Sequence, residues 1–460
     1  MDEHETAFVE TFRRFLDELV HKHPPATITP LGEVVRRHLG RDDLDIPVVG
    51  EDIPRHRYVD VDIALSVIAG HDGTLVGVTG GQSRSHESFP GLLTQSHALF
   101  GPGPVDYTRV ASGIDTQREV VGFGVRLFQF ENRPVAVLQR DANPQFGRQS
   151  ASIEVLSADA GLSGRVLAEV QRLMLEHSVL RGQVLSLEGD EYGQQGAGAV
   201  FLPRPAISDE EVILPTGVLD AVTRHVIGIS QRATQLSEAG QHLKRGVLLY
   251  GPPGTGKTLT IRHLVGRAEG VTCILLTGTA LRFIGQAADI ARAMQPAIVV
   301  LEDVDLVGME RGMHAGPQPL LFALLDALDG LDGDADVAFL LTTNRVDTLE
   351  PALAQRPGRV DLAVEIPLPD AELRTRLFEL YASGLPLSSE ALTEAARGAT
   401  GVTASFAKEL MRRTVIRAAE EGRPPADDDL RAALSDLLTG SSTLTRRLLG
   451  GTDGAETANQ

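Results

Sequence analysis

The residues best suited to chemistry form a glycine-rich run that ends in lysine and threonine, at positions 251–258. Its pattern, Gly-x4-Gly-Lys-Thr, is typical of a loop that binds phosphate. The glycines let backbone N–H groups converge on phosphate oxygens next to a helix N-terminus. We expect Lys257 to reach the β- and γ-phosphates of a nucleotide and the Thr258 hydroxyl to ligate Mg²⁺. A glycine turn with an incidental lysine is the alternative interpretation.

The neighbouring residues supply the elements that such a loop needs. Val247–Tyr250 is an apolar segment that predicts a strand running into the loop, and Leu259–Arg267 predicts a helix leaving it. A nucleotide would therefore lie between a strand end and a helix N-terminus. The residues of this region that we expect to contact the nucleotide are Gly251, Pro252, Pro253, Gly254, Thr255, Gly256, Lys257, Thr258 and Leu259.

A second buried strand, Ile298–Leu301, is followed directly by Glu302 and Asp303, about 45 residues beyond the loop. A Walker B strand has this form, with one acid for the metal and one that polarises the attacking water. Solvated acids at the end of an ordinary strand are the alternative. Behind a phosphate-binding loop, the Walker B interpretation is favoured.

With these motifs in place, the chain resembles the AAA ATPases, within the larger AAA+ group. Leu340–Asn344 is similar to that family's sensor-1 strand. Pro351–Leu353 together with Arg356–Arg359 is similar to its arginine-finger segment, and Gly401–Ala404 to the start of its lid helix. The resemblance extends from about residue 207 to residue 438, with the motifs in the family's order and spacing.

This resemblance implies a fold, cofactors and further site residues. The implied fold class is α/β, a P-loop NTPase parallel sheet with a helical lid, preceded by a separate α+β N-terminal domain. The implied cofactors are ATP and Mg²⁺. Asn344 would position the lytic water, Gly401 would lie beside the nucleotide, and Arg356 or Arg359 would act on the nucleotide of a neighbouring subunit. AAA rings are usually hexamers, so a homo-oligomer is expected.

The sequence also departs from the usual family pattern. The family usually ends Walker B in Asp-Glu, whereas this chain has Glu302-Asp303, an order similar to that of the mitochondrial Rieske-protein translocase branch. By position, Glu302 would serve Mg²⁺ and Asp303 would be the base. The arginine-finger segment is one residue longer than usual, and Phe406 occupies a position in the lid motif that is usually acidic.

Between the two nucleotide motifs, Phe283-Ile284-Gly285 resembles the aromatic–hydrophobic–glycine pore loop with which many AAA proteins grip an unfolded polypeptide. An aromatic face can pack against any side chain, so such a grip would be non-specific. The alternative interpretation is a core phenylalanine followed by a glycine at a helix start.

The N-terminal half predicts an α+β domain without a recognisable catalytic constellation. Apolar residues alternate from Tyr58 to Val67, which predicts a strand that pairs with a return strand around Leu75–Val78. A second hairpin is expected from Val120 to Arg140, with its turn at Glu131-Asn132-Arg133-Pro134.

Three further elements are expected in this half. Apolar residues at helical spacing between Glu5 and Val20 predict an amphipathic helix, packed on its own domain or docked on a partner. Ser163 is expected to cap a helix that runs to about Leu180, and Val184–Leu187 predicts a further strand of the same domain.

The predicted domain organisation follows from these patterns and from the junction at Pro203–Glu211. It comprises an N-terminal helical segment (1–45), an α+β domain for a client or partner (46–206), a large α/β subdomain (207–368), a helical lid (369–440) and a disordered tail (441–460).

Composition restricts the function classes. Lys and Arg total 43 against 62 Asp and Glu, giving a net charge of −19, so general nucleic-acid binding is disfavoured. The single cysteine, Cys273, forbids an internal disulfide. Acidic residues at the N-terminus and the lack of any apolar run of membrane-spanning length lead us to expect a soluble, cytoplasmic protein without a membrane span.

Two functions are consistent with the sequence. The first is an ATP-driven oligomeric ring that remodels or unfolds a protein client chosen by the N-terminal domain. The alternative is a nucleotide-gated assembly scaffold that hydrolyses ATP slowly. The sequence contains no His-Glu-x-x-His motif, so we do not expect a fused zinc protease.

Overall fold

The computed structural model describes residues 11, 27–95, 100–143, 148, 150–189, 198–305, 326–327, 330, 333–345 and 360–438. The chain divides into two compact units, one formed by residues 1–179 with 189–198 and the other by residues 180–188 with 199–460. No helix among the described residues is both long enough and apolar enough to cross a membrane.

The N-terminal unit is built on an antiparallel sheet. Its strands are β1 (Thr27–Ile28), β2 (Val48–Ile53), β3 (Thr74–Thr79), β4 (Thr94–Gln95), β5 (Gly101–Gly103), β6 (Asp106–Ala111), β7 (Gln117–Phe130), β8 (Arg133–Arg140) and β9 (Ala151–Ser157). Its helices are α1 (Pro30–Leu39), α2 (Tyr58–Ala69), α3 (Phe89–Leu93) and α4 (Ala160–Glu176). The main sheet has the order β2-β9-β8-β7-β3-β5, and β6 pairs with β7. β1 and β4 form a separate two-stranded ribbon.

Both faces of this sheet are covered by helices, as the side-chain alternation of β8 requires. Val135 and Val137 face one core, which includes residues of α2 and α4. Ala136 and Leu138 face the opposite core, which includes residues of α1 and α3. The predicted α+β N-terminal domain is therefore confirmed.

The hairpin expected between Val120 and Arg140 is formed by β7 and β8, which pair in antiparallel register from Phe123↔Arg140 to Phe130↔Arg133. Its turn residues Glu131 and Asn132 have φ values of 51° and 60°. Left-handed backbone at both turn positions gives the twist that a two-residue hairpin favours.

The strand expected from Tyr58 to Val67 is wrong, because this segment is the helix α2. The error comes from Asp60 and Asp62, whose alternation with valine and isoleucine resembled a solvent-facing strand row. Both carboxylates are buried in the structure and are bound by protein donors. The alternation of these buried polar residues with apolar ones therefore falsely indicated the two-residue period of a strand.

The prediction for α4 was correct in type and inexact at both ends, since the helix ends at Glu176 and not near Leu180. Asp159, and not Ser163, is the N-cap residue, and its side chain accepts from the N–H of Gly161. Ser163 is buried inside the first turns of the helix, where its hydroxyl lies 2.9 Å from that of Ser157.

The second unit contains a seven-stranded sheet with the order β11-β10-β13-β14-β15-β12-β16. Its strands are β10 (Val184–Glu188), β11 (Gly198–Leu202), β12 (Arg245–Tyr250), β13 (Thr272–Thr277), β14 (Ala297–Glu302), β15 (Val337–Thr343) and β16 (Leu362–Glu365). The pairings from β10 to β16 are parallel. The central strands are almost continuously apolar, as expected for a parallel sheet covered on both faces.

The helices of this unit are α5 (Val218–Thr223), α6 (Ile229–Gln231), α7 (Ala233–Glu238), α8 (Lys257–Arg267) and α9 (Ile284–Ala293), followed by α10 (Ala371–Tyr381), α11 (Ser389–Gly398), α12 (Ala404–Glu420) and α13 (Asp427–Leu438). A π-helical turn, Arg224–Gly228, lies between α5 and α6. The last four helices share their own apolar core, so the predicted helical lid is present.

The strand at Val184–Glu188 belongs to the second unit and not to the N-terminal domain. It pairs in parallel with β13, with Val184 opposite Cys273. The predicted boundary between residues 206 and 207 is therefore too late, since residues 180–188 and 199–206 already belong to the second unit. A short apolar strand carries no local signal of the sheet that it joins.

The chain after β11 is tied closely to α8. Arg204 Nη1 donates to the carbonyl oxygens of Val265 (2.6 Å) and Ala268 (2.8 Å), which lie at the C-terminal end of this helix. Gly266 allows a close approach, since a Cβ atom there would lie 2.4 Å from the carbonyl oxygen of Pro205. α8 is therefore held at the end opposite to the glycine-rich loop.

Candidate active site at the carboxyl edge of the parallel sheet

The glycine-rich loop joins β12 to α8, as the sequence predicted. Gly251 has a φ of 140°, and a Cβ atom there would lie 2.3 Å from the carbonyl oxygen of Ile366. Any larger residue would clash with the chain that follows β16. Gly254 and Gly256 also have positive φ values, of 75° and 113°. The loop conformation thus depends on glycine at several points.

Lys257 begins α8 and is only 6% exposed. Its Nζ donates to the carbonyl oxygens of Gly251 and Pro252, both at 2.8 Å. Burial lowers the pKa of Lys257, and the carboxylates of Asp303 and Asp305 act in the opposite direction. The ammonium group is thus held within the loop, facing the acidic residues that follow β14.

The other loop residues have distinct surroundings. Thr255 Oγ1 donates to the carbonyl oxygen of Pro252 at 2.9 Å, which closes the loop. Pro253 is exposed at its tip. Leu259 packs against the apolar core beneath the loop, so its side chain has a structural contact in addition to the expected nucleotide contact.

Glu302, the last residue of β14, is brought to Thr258. Burial raises the pKa of the Glu302 carboxyl. The positive charge of Arg262 and a hydrogen bond with the Thr258 hydroxyl oppose this shift. The two residues that the sequence predicted as metal ligands are therefore close neighbours.

Asp303, the next residue, faces Asn344. The Asn344 side chain donates from Nδ2 to Asp303 Oδ1 at 3.2 Å. Asp303 has a φ of 51°, a left-handed conformation that aspartate and asparagine adopt more readily than most residues. Its N–H donates to Thr342 Oγ1 at 2.8 Å, which fixes the turn against β15. The predicted base and the predicted sensor residue thus lie side by side.

Asp305 is a further residue at this edge, and the sequence did not predict it. Its Oδ1 accepts hydrogen bonds from Thr343 Oγ1 at 2.9 Å and from the Asn344 N–H at 3.1 Å. The available signal was a third acid two residues after Asp303, but spacing alone does not tell whether such a residue faces the site or the solvent.

The lid meets the glycine-rich loop through the first turn of α12. The Ser405 N–H donates to the carbonyl oxygen of Gly254 at 3.2 Å. Gly401 has a φ of 72° and precedes this helix, with Thr403 as its N-cap. Phe406, at the position that is usually acidic in the family, is 1% exposed and belongs to the lid core. This side chain therefore serves packing.

The expected pore-loop residues lie where a 3₁₀ turn after β13 passes into α9. Ile284 is 2% exposed and part of the core, so in this conformation it cannot contact a polypeptide. Phe283 is half-buried, and the Arg282 guanidinium lies over its ring at 4.7 Å. Gly285 is exposed. Only Phe283 and Gly285 of the predicted group are accessible.

The predicted arginine fingers, Arg356 and Arg359, lie outside the described residues, as do the N-terminal helix expected at residues 5–20 (apart from Thr11) and the tail from residue 441. Their roles stay predictions.

Taken together, the edge formed by the carboxyl ends of β12, β14 and β15 presents a lysine, a hydroxyl, two acids and an amide around one glycine-rich loop. Ligand sites in open parallel sheets lie at this edge. The groups match the requirements of phosphoryl transfer to water, which are positive charge on phosphate, oxygen ligands for Mg²⁺ and a base held by a polar neighbour.

Comparison with known proteins agrees with this geometry. Residues 247–368 match the model of the ATPase family associated with various cellular activities (AAA). The chain is 37% identical over 160 residues to the 26S proteasome regulatory subunit 4 homolog of Oryza sativa subsp. japonica, covering 32% of this chain and 35% of the relative.

Bacterial relatives match a longer stretch. The ATP-dependent zinc metalloprotease FtsH 1 of Thermomicrobium roseum is 30% identical over 275 residues, covering 56% of this chain and 41% of that protein. The FtsH of Hahella chejuensis is 37% identical over 194 residues, covering 39% and 31%. The chain thus spans between 31% and 41% of the length of these relatives. The family model and these relatives show that residues 247–368 form an AAA-family ATPase domain, a nucleotide-binding α/β module.

Proposed function

We propose that this chain binds ATP with Mg²⁺ and hydrolyses it at the site described above, and that it works as an oligomeric ring that remodels or unfolds protein clients. The observation that carries the proposal is the pairing of Thr258 with Glu302 and of Asn344 with Asp303 around the glycine-rich loop.

Lys257 could exchange its present hydrogen-bond acceptors for phosphate oxygens. Lys257 donates to two carbonyl oxygens of its own loop, and phosphate oxygens would be stronger acceptors for an ammonium group. Binding of the nucleotide would replace these neutral contacts by charge-assisted ones. A lysine held at the loop in advance loses less side-chain entropy when the phosphates arrive.

The residues present fit Mg²⁺. The cation prefers oxygen ligands and is usually held by one or two protein groups together with phosphates and water. The Thr258 hydroxyl and the Glu302 carboxylate supply such oxygens side by side. When bound, Mg²⁺ would neutralise the charge that develops on the phosphates.

Asp303 is assigned as the general base. Its carboxylate is bound by the Asn344 amide, which leaves the second oxygen for a water proton, and the positive charge of Lys257 is close enough to couple to it. Asp303 is one methylene shorter than the usual glutamate. The left-handed backbone at this residue changes the direction in which the shorter side chain leaves the strand.

The proposal of a ring rests on Arg356 and Arg359, which lie outside the described residues. Arg356 or Arg359 would complete the site of a neighbouring subunit, where an arginine supplied in trans contributes about 10³–10⁵ in rate. A hexamer is the stoichiometry that the family resemblance implies. The N-terminal unit would select the client, by a chemistry that its sequence does not specify.

The experiment is the steady-state rate of phosphate release per chain, measured over a wide range of protein concentration, with Lys257→Ala as the blank. A rate per chain that rises steeply with concentration supports shared sites and the ring. A rate at the level of the blank at every concentration contradicts ATP hydrolysis by this chain.

A nucleotide-gated scaffold is the second candidate, and the burial of Ile284 favours it, since only part of the expected pore loop can touch a client. The two functions predict different results for Phe283→Ala, and Phe283→Tyr is the matched control. In a remodeller, alanine removes the stimulation of the ATPase by an unfolded polypeptide such as casein, and tyrosine preserves it. In a scaffold, casein does not stimulate the parent protein or either variant.

A further inference from the structure

We propose that Asp305 is a positioning residue for ATP hydrolysis, which orients Asn344 and, through it, the carboxylate of Asp303. The inference rests on the proposed function, since it assigns a role within the same reaction. Among the described residues the hydrogen bonds of Asp305 are made with Thr343 and Asn344, and it acts on Lys257 through its charge alone.

Asp305 binds two donors through one carboxylate oxygen. Asp305 Oδ1 accepts from the Thr343 hydroxyl at 2.9 Å and from the Asn344 N–H at 3.1 Å. These donors belong to consecutive residues at the end of β15, so a single carboxylate oxygen holds the chain as it leaves the sheet. Charge-assisted hydrogen bonds are about twice as strong as neutral ones.

The Thr343 side chain that binds Asp305 is buried. Thr343 is 0% exposed, and its Oγ1 also accepts from the Arg345 N–H at 2.9 Å. The hydroxyl therefore donates to Asp305 and accepts from the chain beyond Asn344. Asn344 is thus held from both sides, because the hydroxyl of the preceding residue, Thr343, is anchored to Asp305 and binds the N–H of the following residue, Arg345.

The same contacts connect to the reacting group through Asn344. Asn344 donates to Asp303 Oδ1 at 3.2 Å, and the Asp303 backbone is held by Thr342 through a bond of 2.8 Å. The Val304 N–H also donates to the carbonyl oxygen of Thr342, at 3.0 Å. Both ends of the Asn344–Asp303 contact are thus fixed: Asp303 is held to β15 by Thr342, and Asn344, which directly follows β15, is held by Asp305.

If Asp305 is removed, the Asn344 backbone N–H loses its acceptor and the amide is no longer fixed relative to Asp303. A misplacement of about 1 Å in such an arrangement can cost roughly a hundredfold in rate. Binding of ATP would be largely spared, since the hydrogen bonds of Lys257 are made within its own loop and Asp305 acts on Lys257 through charge alone. The expected signature is a loss in kcat with KM for ATP unchanged.

The test compares Asp305→Ala with Asp305→Asn, because asparagine keeps an Oδ1 that can accept both hydrogen bonds. We expect alanine to lower kcat by about 10- to 100-fold and asparagine to restore most of that loss, with KM for ATP the same in both. A purely structural role would instead lower the thermal midpoint and affect nucleotide binding as well as kcat.

A double-mutant cycle with Asn344→Ala tests the route of action. If Asp305 acts through Asn344, the double variant is no slower than Asn344→Ala alone. Full multiplication of the two losses, or wild-type kcat in Asp305→Ala, would overturn the inference. If the parent protein hydrolysed ATP no faster than Lys257→Ala, the proposed function would be refuted. This outcome is distinct from a failure of the role assigned to Asp305.

Thr343→Val keeps the inference falsifiable if Asp305→Ala does not fold. Valine has nearly the shape of threonine but lacks the hydroxyl that donates to Asp305 and accepts from Arg345. A lower kcat at unchanged KM supports the inference, and an unchanged kcat in a folded Thr343→Val protein contradicts it.

Discussion

The two sheets of this chain handle charge in opposite ways. In the N-terminal unit, an ionic group is buried between α2 and the middle of the sheet. Asp62 Oδ1 accepts from Arg126 (2.7 Å), Gln139 (3.2 Å) and the Val121 N–H (3.2 Å). In the second unit, the middles of the central strands are apolar, the buried ion pair of Arg245 and Asp336 lies at their amino ends, and the site's acids, Glu302 and Asp303, come at the carboxyl end of β14.

The difference separates charge that serves the fold from charge that is available for chemistry. The Asp62 oxygen is fully engaged by protein donors and has no position left for a ligand. Lys257, by contrast, contacts carbonyl oxygens that phosphate oxygens could replace, and Glu302 lies beside the Thr258 hydroxyl, with which it could share a cation. Changes in the first region should therefore alter stability, and changes in the second should alter activity.

The largest effect expected from this comparison is a loss of stability in Asp62→Ala. Removing one partner leaves Arg126 as a buried charge without its carboxylate, which costs about 3–5 kcal/mol in free energy of unfolding. Asp72→Ala is the matched control, because Asp72 is exposed, and a change within about 0.5 kcal/mol is expected there. Urea unfolding followed by circular dichroism measures both.

If Asp62→Ala were as stable as Asp72→Ala, the buried network would not stabilise the N-terminal unit. Hydrogen exchange localises the effect, since loss of protection should concentrate in β7 and β8 rather than in β12 to β15.

Lys257→Ala tests the second region, where activity and not stability should change. Its ammonium group is the charge assigned to the phosphates, so we expect the rate of ATP hydrolysis to fall by about 10²–10³ or more. Phosphate release measures the rate, and hydrogen exchange of β7 and β8 should be unchanged. Hydrolysis at the rate of the parent protein would remove Lys257 from the site.

A smaller effect is expected from pH. Burial, with Arg57 nearby, lowers the pKa of His56 in the N-terminal unit from 6.5 to about 4. Between these values the unfolded chain binds the proton and the folded chain does not, so the free energy of unfolding should decrease as pH falls from 6.5 towards 4.

The contribution of His56 is isolated by His56→Gln, whose stability should fall less steeply over this range than that of the parent protein. His71→Gln, at an exposed position, is the control and should retain the parent's slope. Equal slopes in all three proteins would show that His56 is protonated alike in the folded and unfolded states.

How far the sequence predicts this molecule depends on whether the information is local. The glycine-rich loop and the Glu302-Asp303 pair were predicted because their residues are contiguous and their chemistry restricts the residue types. The hairpin of β7 and β8 was predicted from its turn for the same reason. These elements require no knowledge of distant partners.

The wrong or missing predictions have a common physical cause: residues distant in the sequence determined the structure at these positions. Asp60 and Asp62 looked solvent-facing because partners such as Val179 and Arg126 lie far away in the chain, and α2 was therefore mistaken for a strand. β10 pairs with β13 across about 90 residues of sequence. Asp305 was missed because its donors, Thr343 and Asn344, lie on another strand.

Two isosteric changes at adjacent residues, Glu302→Gln and Asp303→Asn, test directly whether Glu302 serves Mg²⁺ and Asp303 acts as the base. Each protein is incubated with labelled ATP over a range of Mg²⁺ concentrations, and the bound nucleotide is isolated and identified. The account predicts that Asp303→Asn retains ATP unhydrolysed at the Mg²⁺ concentration that suffices for the parent protein. Glu302→Gln should instead require more Mg²⁺ to bind the nucleotide. Turnover by Asp303→Asn at the parent's rate, with ATP trapped by Glu302→Gln, would contradict the assignment of the base.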